Sequence, residues 1–344
     1  MKKWLAFLLC LLLVLPAAGV AEEQKVVNIF SWLGYIDDEV IADFEAETGI
    51  KVIWSPMDSI DSMLLKVTEG GGADYDLILS SDYSLDILRK QGLLQKLDKT
   101  KLSNYANLDP KFLSQSFDPD NEYVIPYVAG CPLIIYDPAR VPFTITGYED
   151  LWDERLTDSV AVLENARVLC GITLKTLGMG MNETDAGKLA QMKEKLMPLY
   201  KNIRTFGDME SYTAVTSGEA SVGFLFTPFV QMVWQEHPDF QVVYPKEGMG
   251  YGIDGFVIPD GAKNADNAHV LLDYLMRPEV AAHNAEYQMY MCVNQAAADY
   301  LSDDFRNSPV MNVPADLLAG AEFIQEVGAA ESTYQEIYTA FKNQ

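Results

Sequence analysis

From residue 26 onward, short runs rich in β-branched residues alternate with amphipathic helical stretches, and this alternation is the strongest constraint on the fold. It calls for an α/β architecture with largely parallel sheets and helices on their faces. Residues 26–31 predict the first strand. Residues 37–48 set Val40, Ile41 and Phe44 on one face, carry acids in the first turn and meet Gly49, so they predict a helix. Strand 51–54, helix 60–69 and strand 76–80 follow, the last emptying into a loop at Ser81-Asp82-Tyr83. The intervening Gly70-Gly71-Gly72 lacks the Lys-Ser or Lys-Thr of a phosphate loop and reads as a turn. In open α/β sheets, ligands sit beyond the carboxyl ends of strands. Residues 32–35 and 81–83 fall there.

A second series begins near residue 131, with signals at 133–136, 148–152 and 160–163 and a helix at 166–177. A strand at 221–226 runs into Thr227-Pro228, and 242–244 leads through the Gly-rich 248–252 to a strand at 253–258. Helices are expected at 264–276, 278–287 and 331–342.

Residues 1–21 have the pattern of a secretory signal: Lys2 and Lys3, an apolar run over 5–15, then Pro16 and small residues up to Ala21, after which cleavage is expected. The apolar run is shorter than the roughly twenty residues that span a bilayer. Cys10 lies inside it, which favours a free periplasmic protein over a lipid-anchored one. The remaining chain exceeds what one core usually serves, so two domains are expected. No flexible linker is visible, which favours lobes joined by chain crossovers.

The chain has 25 basic and 50 acidic residues, a formal net charge of −25. Such a field repels nucleic acid and anionic membranes and draws cations toward clefts, although solubility alone also accounts for it. Cys131, Cys170 and Cys292 remain after the signal, odd in number and far apart. One bridge plus a free thiol, or three buried thiols, both fit, with the second preferred. With only His237, His269 and His283, and no His-Glu-x-x-His, Gly-x-Ser-x-Gly or Cys-x-x-Cys, metal and triad chemistry have no anchor. No enzyme, cofactor or metal site is expected.

Several segments, in order, carry a family resemblance. They include Phe30-Ser31-Trp32-Leu33-Gly34-Tyr35-Ile36, Glu47-Thr48-Gly49-Ile50-Lys51-Val52, Tyr75-Asp76-Leu77-Ile78 and Leu97-Asp98-Lys99-Thr100-Lys101-Leu102. Ile125-Pro126-Tyr127, Tyr244-Pro245-Lys246-Glu247-Gly248 and Arg277-Pro278-Glu279-Val280-Ala281 continue it. Over nearly its whole length the mature chain resembles the spermidine/putrescine-binding proteins of bacterial polyamine ABC importers. These are type II periplasmic binding proteins.

The resemblance implies a two-lobed α/β fold, each lobe a mixed, mostly parallel sheet flanked by helices. Lobe one would hold 26–130 plus 255–299, and lobe two 131–254 plus 300–344. It implies hinge closure over a small amine and delivery of that ligand by a monomer to a membrane permease. A sensor built from the same lobes is the alternative to a transport component.

A polyamine site needs carboxylates for ammonium ends and aromatic faces for the chain. By resemblance, Trp32, Tyr35, Tyr83 and Tyr290 match pocket aromatics, and Asp254 matches the key acid. Ser81 offers a hydroxyl, and Asp82 puts a carboxylate where the family has a small neutral residue. Asn165 and Phe226 stand in the places of an acid and a tryptophan and complete the expected ligand-facing set. Gly34, Val168, Gly252 and Ile324 are further departures from the family pattern. Asp82, Asp208 or Glu210 are candidates to replace the lost acids, with the last two read rather as surface residues. The losses leave open a full polyamine, a smaller organic cation or an amino-acid-like zwitterion. A zwitterion would need Arg167 free as an anion clamp, whereas pairing with a neighbouring acid is the favoured reading.

Overall fold

Helix starts follow local capping chemistry. Asp37 is extended, and its carboxylate accepts from the Glu39 N–H, so a helix begins at Asp38 and ends where Gly49 adopts φ 71°. This computed structural model describes residues 25–344. The expected signal segment lies outside the described residues.

In chain order the first elements are β1 (Val26–Ser31), α1 (Asp38–Thr48), β2 (Lys51–Pro56), α2 (Ile60–Gly70), β3 (Leu77–Ser81) and α3 (Asp82–Lys90). After short 3₁₀ turns come β4 (Ile125–Gly130), β5 (Leu133–Tyr136), β6 (Val160–Val162), α4 (Ala166–Thr176) and α5 (Ala186–Leu196). Next are β7 (Ile203–Phe206), α6 (Asp208–Thr216), β8 (Val222–Leu225), α7 (Thr227–Glu236), β9 (Gln241–Val243) and β10 (Gly250–Val257). The chain closes with α8 (Ala265–Leu275), α9 (Pro278–Gln288), β11 (Met291–Cys292), α10 (Asp303–Asn307), α11 (Ala315–Ala319), β12 (Glu322–Phe323) and α12 (Ala330–Lys342).

The strands form two sheets. One has the order β11-β4-β10-β3-β1-β2, with β12 added beside β10; the other runs β7-β6-β8-β5-β9. Parallel β1–β2, β1–β3 and β10–β12 pairs share the first sheet with antiparallel β10–β3, β10–β4 and β11–β4. The second combines parallel β6–β7 and β6–β8 with antiparallel β5–β8 and β5–β9. The pairings are thus evenly mixed rather than largely parallel. The strands on either side of the crossovers between sheets, β4 and β10 in the first and β5 and β9 in the second, supply most of the antiparallel pairs.

Phe30, Phe44 and Phe256 are buried around the first sheet, and Tyr148, Phe224, Tyr334 and Phe341 around the second. Two expectations shift. Ser81-Asp82-Tyr83 is no loop: Ser81 is the last residue of β3 and the extended cap of α3, whose Leu85 and Leu88 are buried. The Gly-rich segment enters β10 at Gly250, because Gly250 and Gly252 already pair with β12 and β4. Cys131, Cys170 and Cys292 are free thiols, the first two buried.

The β4–β5 crossover is clamped at one residue. The Thr227 hydroxyl donates to the Cys131 carbonyl and accepts from the Cys131 N–H, at 2.8 Å each. Gly130 is required beside it, since a Cβ there would lie 2.7 Å from Thr227 Oγ1 and 2.9 Å from the Tyr290 ring. Thr227→Val leaves a buried N–H without a partner. It is expected to lower stability by about 1–3 kcal/mol in urea unfolding.

Candidate functional site

The carboxyl ends of the parallel strands in both sheets open on one cavity of about 1000 Å³. From the first sheet, β1 delivers Trp32 and Tyr35, and β3 delivers Ser81, Asp82 and Tyr83. From the second, Asn165 follows β6, Asp208 follows β7 and Phe226 follows β8. Asp254, in the middle of β10, and Tyr290, just before β11, line it too. The fold therefore brings all nine residues of the expected set to one cavity, which is the strand-end geometry of open α/β sheets.

At its centre, the Tyr35 hydroxyl donates to Asp254 Oδ2 at 2.8 Å. Tyr35 is itself fixed where its carbonyl accepts from the Tyr127 hydroxyl at 2.7 Å. Asp254 pairs with Ser81 on β3 and with Val128 on β4, where a register shift follows it. Burial pushes the Asp254 carboxyl up to about 6, and the Tyr35 hydrogen bond pulls the other way. Trp32 lies 5.2 Å from Tyr35, and Tyr35 lies 6.5 Å from Tyr290, between ring centroids, so the ring that holds the acid is flanked by two others.

Asp82 is only 4% exposed. Its Oδ2 accepts from the Ile253 N–H at 2.8 Å, and a Cβ on Gly252 would lie 3.7 Å from the same oxygen. Burial raises this carboxyl to about 8, opposed by the Ile253 N–H and reinforced by the Asp254 charge. No basic side chain neutralises either acid among the ion pairs of the described residues.

Asn165 caps α4, its Oδ1 accepting from the Val168 N–H at 3.0 Å, so half of its amide is committed to structure. Arg167 is not a free anion clamp. It pairs with Glu331 at 2.8 Å, donates to Asn182 Oδ1 at 3.0 Å and stacks over the Tyr334 ring at 4.5 Å. The departure positions Val168, Gly252 and Ile324 also line the cavity.

Asp208 departs from its surface reading: it lines the cavity, and its Oδ1 is buried without a partner. Its sequence signal was obscured because β7 is a short edge strand with Arg204 exposed. Glu210, two residues on, is exposed as expected. The cavity is strongly anionic. Asp61, Asp82 and Asp254 come from the segments of the first sheet, and Glu164, Asp208, Glu326 and Glu331 face them. Against these seven acids the described lining holds one basic group, the already paired Arg167.

The family model described as "Bacterial extracellular solute-binding protein" matches residues 39–313. The chain belongs to this family. Among relatives of this solute-binding protein, the "Spermidine/putrescine-binding periplasmic protein" of Escherichia coli (strain K12) is 34% identical over 345 residues, covering 99% of each chain. The "Putrescine-binding periplasmic protein PotF" of the same strain is 32% identical, covering 92% of this chain and 91% of that one. Among solved structures, the spermidine/putrescine ABC transporter substrate-binding protein PotD from Streptococcus pneumoniae superposes with a TM-score of 0.83 at 28% identity. The match covers 93% of this chain and 99% of that one. The solute-binding protein thus has the two-sheet type II periplasmic-binding-protein fold.

The raised Asp82 carboxyl gives stability a defined pH dependence. Its folded pKa of about 8 exceeds the unfolded value near 3.9, so its contribution is full below about pH 4 and is lost as pH rises toward 8. Asp82→Asn removes that loss. The ligand-free variant is expected to melt at least about 2 °C higher than wild type at pH 8 and to lose this advantage near pH 4.

Proposed function

We propose that this solute-binding protein is the extracytoplasmic receptor of an ABC importer, and that its cavity takes a small polyammonium ligand of the putrescine or spermidine kind. The observation that carries this reading is the lining: seven acids face one arginine that is already paired. Buried carboxylates without partners are unfavourable, and a bound cation is their natural compensation. Trp32, Tyr35 and Tyr290 add ring faces that attract ammonium groups by about 0.5–2 kcal/mol each. Relatives named as spermidine/putrescine-binding and putrescine-binding periplasmic proteins support the same ligand class.

On this reading Asp254 holds an ammonium group, with Trp32, Tyr35, Tyr83 and Tyr290 around the chain and Ser81, Asp82, Asn165 and Phe226 completing the wall. The chain works in the periplasm as a monomer after signal removal at Ala21. It binds its ligand rather than transforming it, closing the lobe built on the first sheet over the lobe built on the second. The closed form delivers the amine to a membrane permease. An amino-acid-like zwitterion is disfavoured because Arg167 is engaged by Glu331. Among the described residues no helix is long and apolar enough to cross a membrane.

Calorimetric titration of the mature protein with putrescine, spermidine, butylamine and a panel of amino acids tests the proposal. A polyamine is expected to bind most tightly, and Asp254→Asn to weaken it at least tenfold, about 1.4 kcal/mol. Preference for an amino acid, or unchanged polyamine affinity in Asp254→Asn, would contradict it.

A further inference from the structure

The geometry points to a second ammonium seat, formed by Asp208 and Tyr338 on the second-sheet side of the cavity that Asp254 lines from the first sheet, and so to a ligand with two cationic ends. The inference rests on the cationic reading of the cavity proposed above. It concerns where the far end of the ligand is held.

Asp208 is the first residue of α6, directly after β7. Ser211, one turn on, donates its hydroxyl to the Val162 carbonyl at 2.9 Å and so ties the start of α6 to β6. Asp208 Oδ1 is buried and has no hydrogen-bond partner. Burial pushes this carboxyl above its ordinary range, the Glu164 N–H pulls it down, and the charges of Glu164 and Glu210 push it up.

Tyr338 reaches the same cavity from α12. It is 9% exposed, and its hydroxyl is a second buried polar atom without a partner. The elements carrying Asp208 and Tyr338 meet where Phe206, two residues before Asp208, packs 5.8 Å from the Phe341 ring of α12, and burial together with the charges of Glu164 and Asp208 raises the phenol. Buried polar groups in folded proteins are nearly always hydrogen-bonded, and two exceptions on one wall call for a shared explanation.

Three other polar groups of that wall are already engaged, and Glu326 is exposed to solvent. Glu164 pairs with Lys342, whose ammonium lies over the Phe206 and Tyr338 rings at 5.4 and 5.7 Å. Glu331 pairs with Arg167 at 2.8 Å. Asn165 Oδ1 is taken by the Val168 N–H at 3.0 Å, and Val168 offers no polar group. Asp208 and Tyr338 are left to accept, and an ammonium has three donors, enough for a carboxylate and a phenol oxygen together. With Asp254 and Tyr35 holding one end, a seat here selects a diammonium chain over a monoamine.

The test is calorimetric titration of putrescine into wild type, Asp208→Asn and Tyr338→Phe, with butylamine as a competitor probe and thermal melting of each ligand-free protein. Asp208→Asn is expected to weaken putrescine at least tenfold and Tyr338→Phe at least about threefold. The putrescine-over-butylamine preference should fall by the same factors, a change that a merely structural role would not produce. Should Asp208→Asn melt far below wild type, Tyr338→Phe carries the test alone. Unchanged putrescine affinity, or an equal loss for both amines, overturns the second seat while leaving the first intact. If no amine binds wild type, the functional reading falls together with the seat.

Discussion

The Tyr35 hydroxyl and the Asp254 carboxylate meet at 2.8 Å where β10 passes between β3 and β4, and the site is organised around that carboxylate being buried without a cation. β10 can place an acid there because it is central in its sheet and shifts register immediately after Asp254. Its neighbour Asp82, on the first turn of α3, adds a second buried acid whose help comes from backbone N–H groups rather than a cation. Burial raises the proton affinity of both and the Asp254 charge adds to that of Asp82, and an arriving cation reverses the effect. Stability, proton binding and ligand binding are therefore linked through the same two side chains.

The crossovers serve that arrangement. Thr227 clamps Cys131 where the chain leaves the first sheet, and Gly130 lets Tyr290 and Thr227 approach the same backbone. Lys175 and Glu322, 2.6 Å apart, tie α4 to the short strand that joins β10. A cavity between two sheets needs a few fixed contacts where the chain passes and few elsewhere, because any motion that closes it must be absorbed at those passages.

Much of this was legible in the sequence. The alternation of strand and helix signals placed Trp32, Tyr35 and Ser81 at strand ends, because β1 and β3 are buried strands with strong apolar runs. Asp254 was legible from the resemblance and from the strand that follows Gly252. Asp208 was not, because β7 has only four residues, none of them fully buried, so an acid after it looks like an acid in the first turn of a surface helix. The start of α3 was hidden for a related reason: Ser81 caps through its backbone without a side-chain hydrogen bond, so the sequence offered a turn-like Ser-Asp where the structure has a helix. Tyr338 has the spacing of a core residue on α12, and its unpartnered hydroxyl becomes visible only when both sheets are in place.

Proton linkage tests the central claim most directly. Putrescine titrated at pH 6 in buffers of differing ionisation enthalpy reports how many protons leave the protein on binding. With Asp254 near 6 and Asp82 near 8 when empty, a cation that draws both toward their charged forms should release at least about half a proton per ligand. Binding with no proton release, or with uptake, would mean that these carboxylates do not face the ligand's charge.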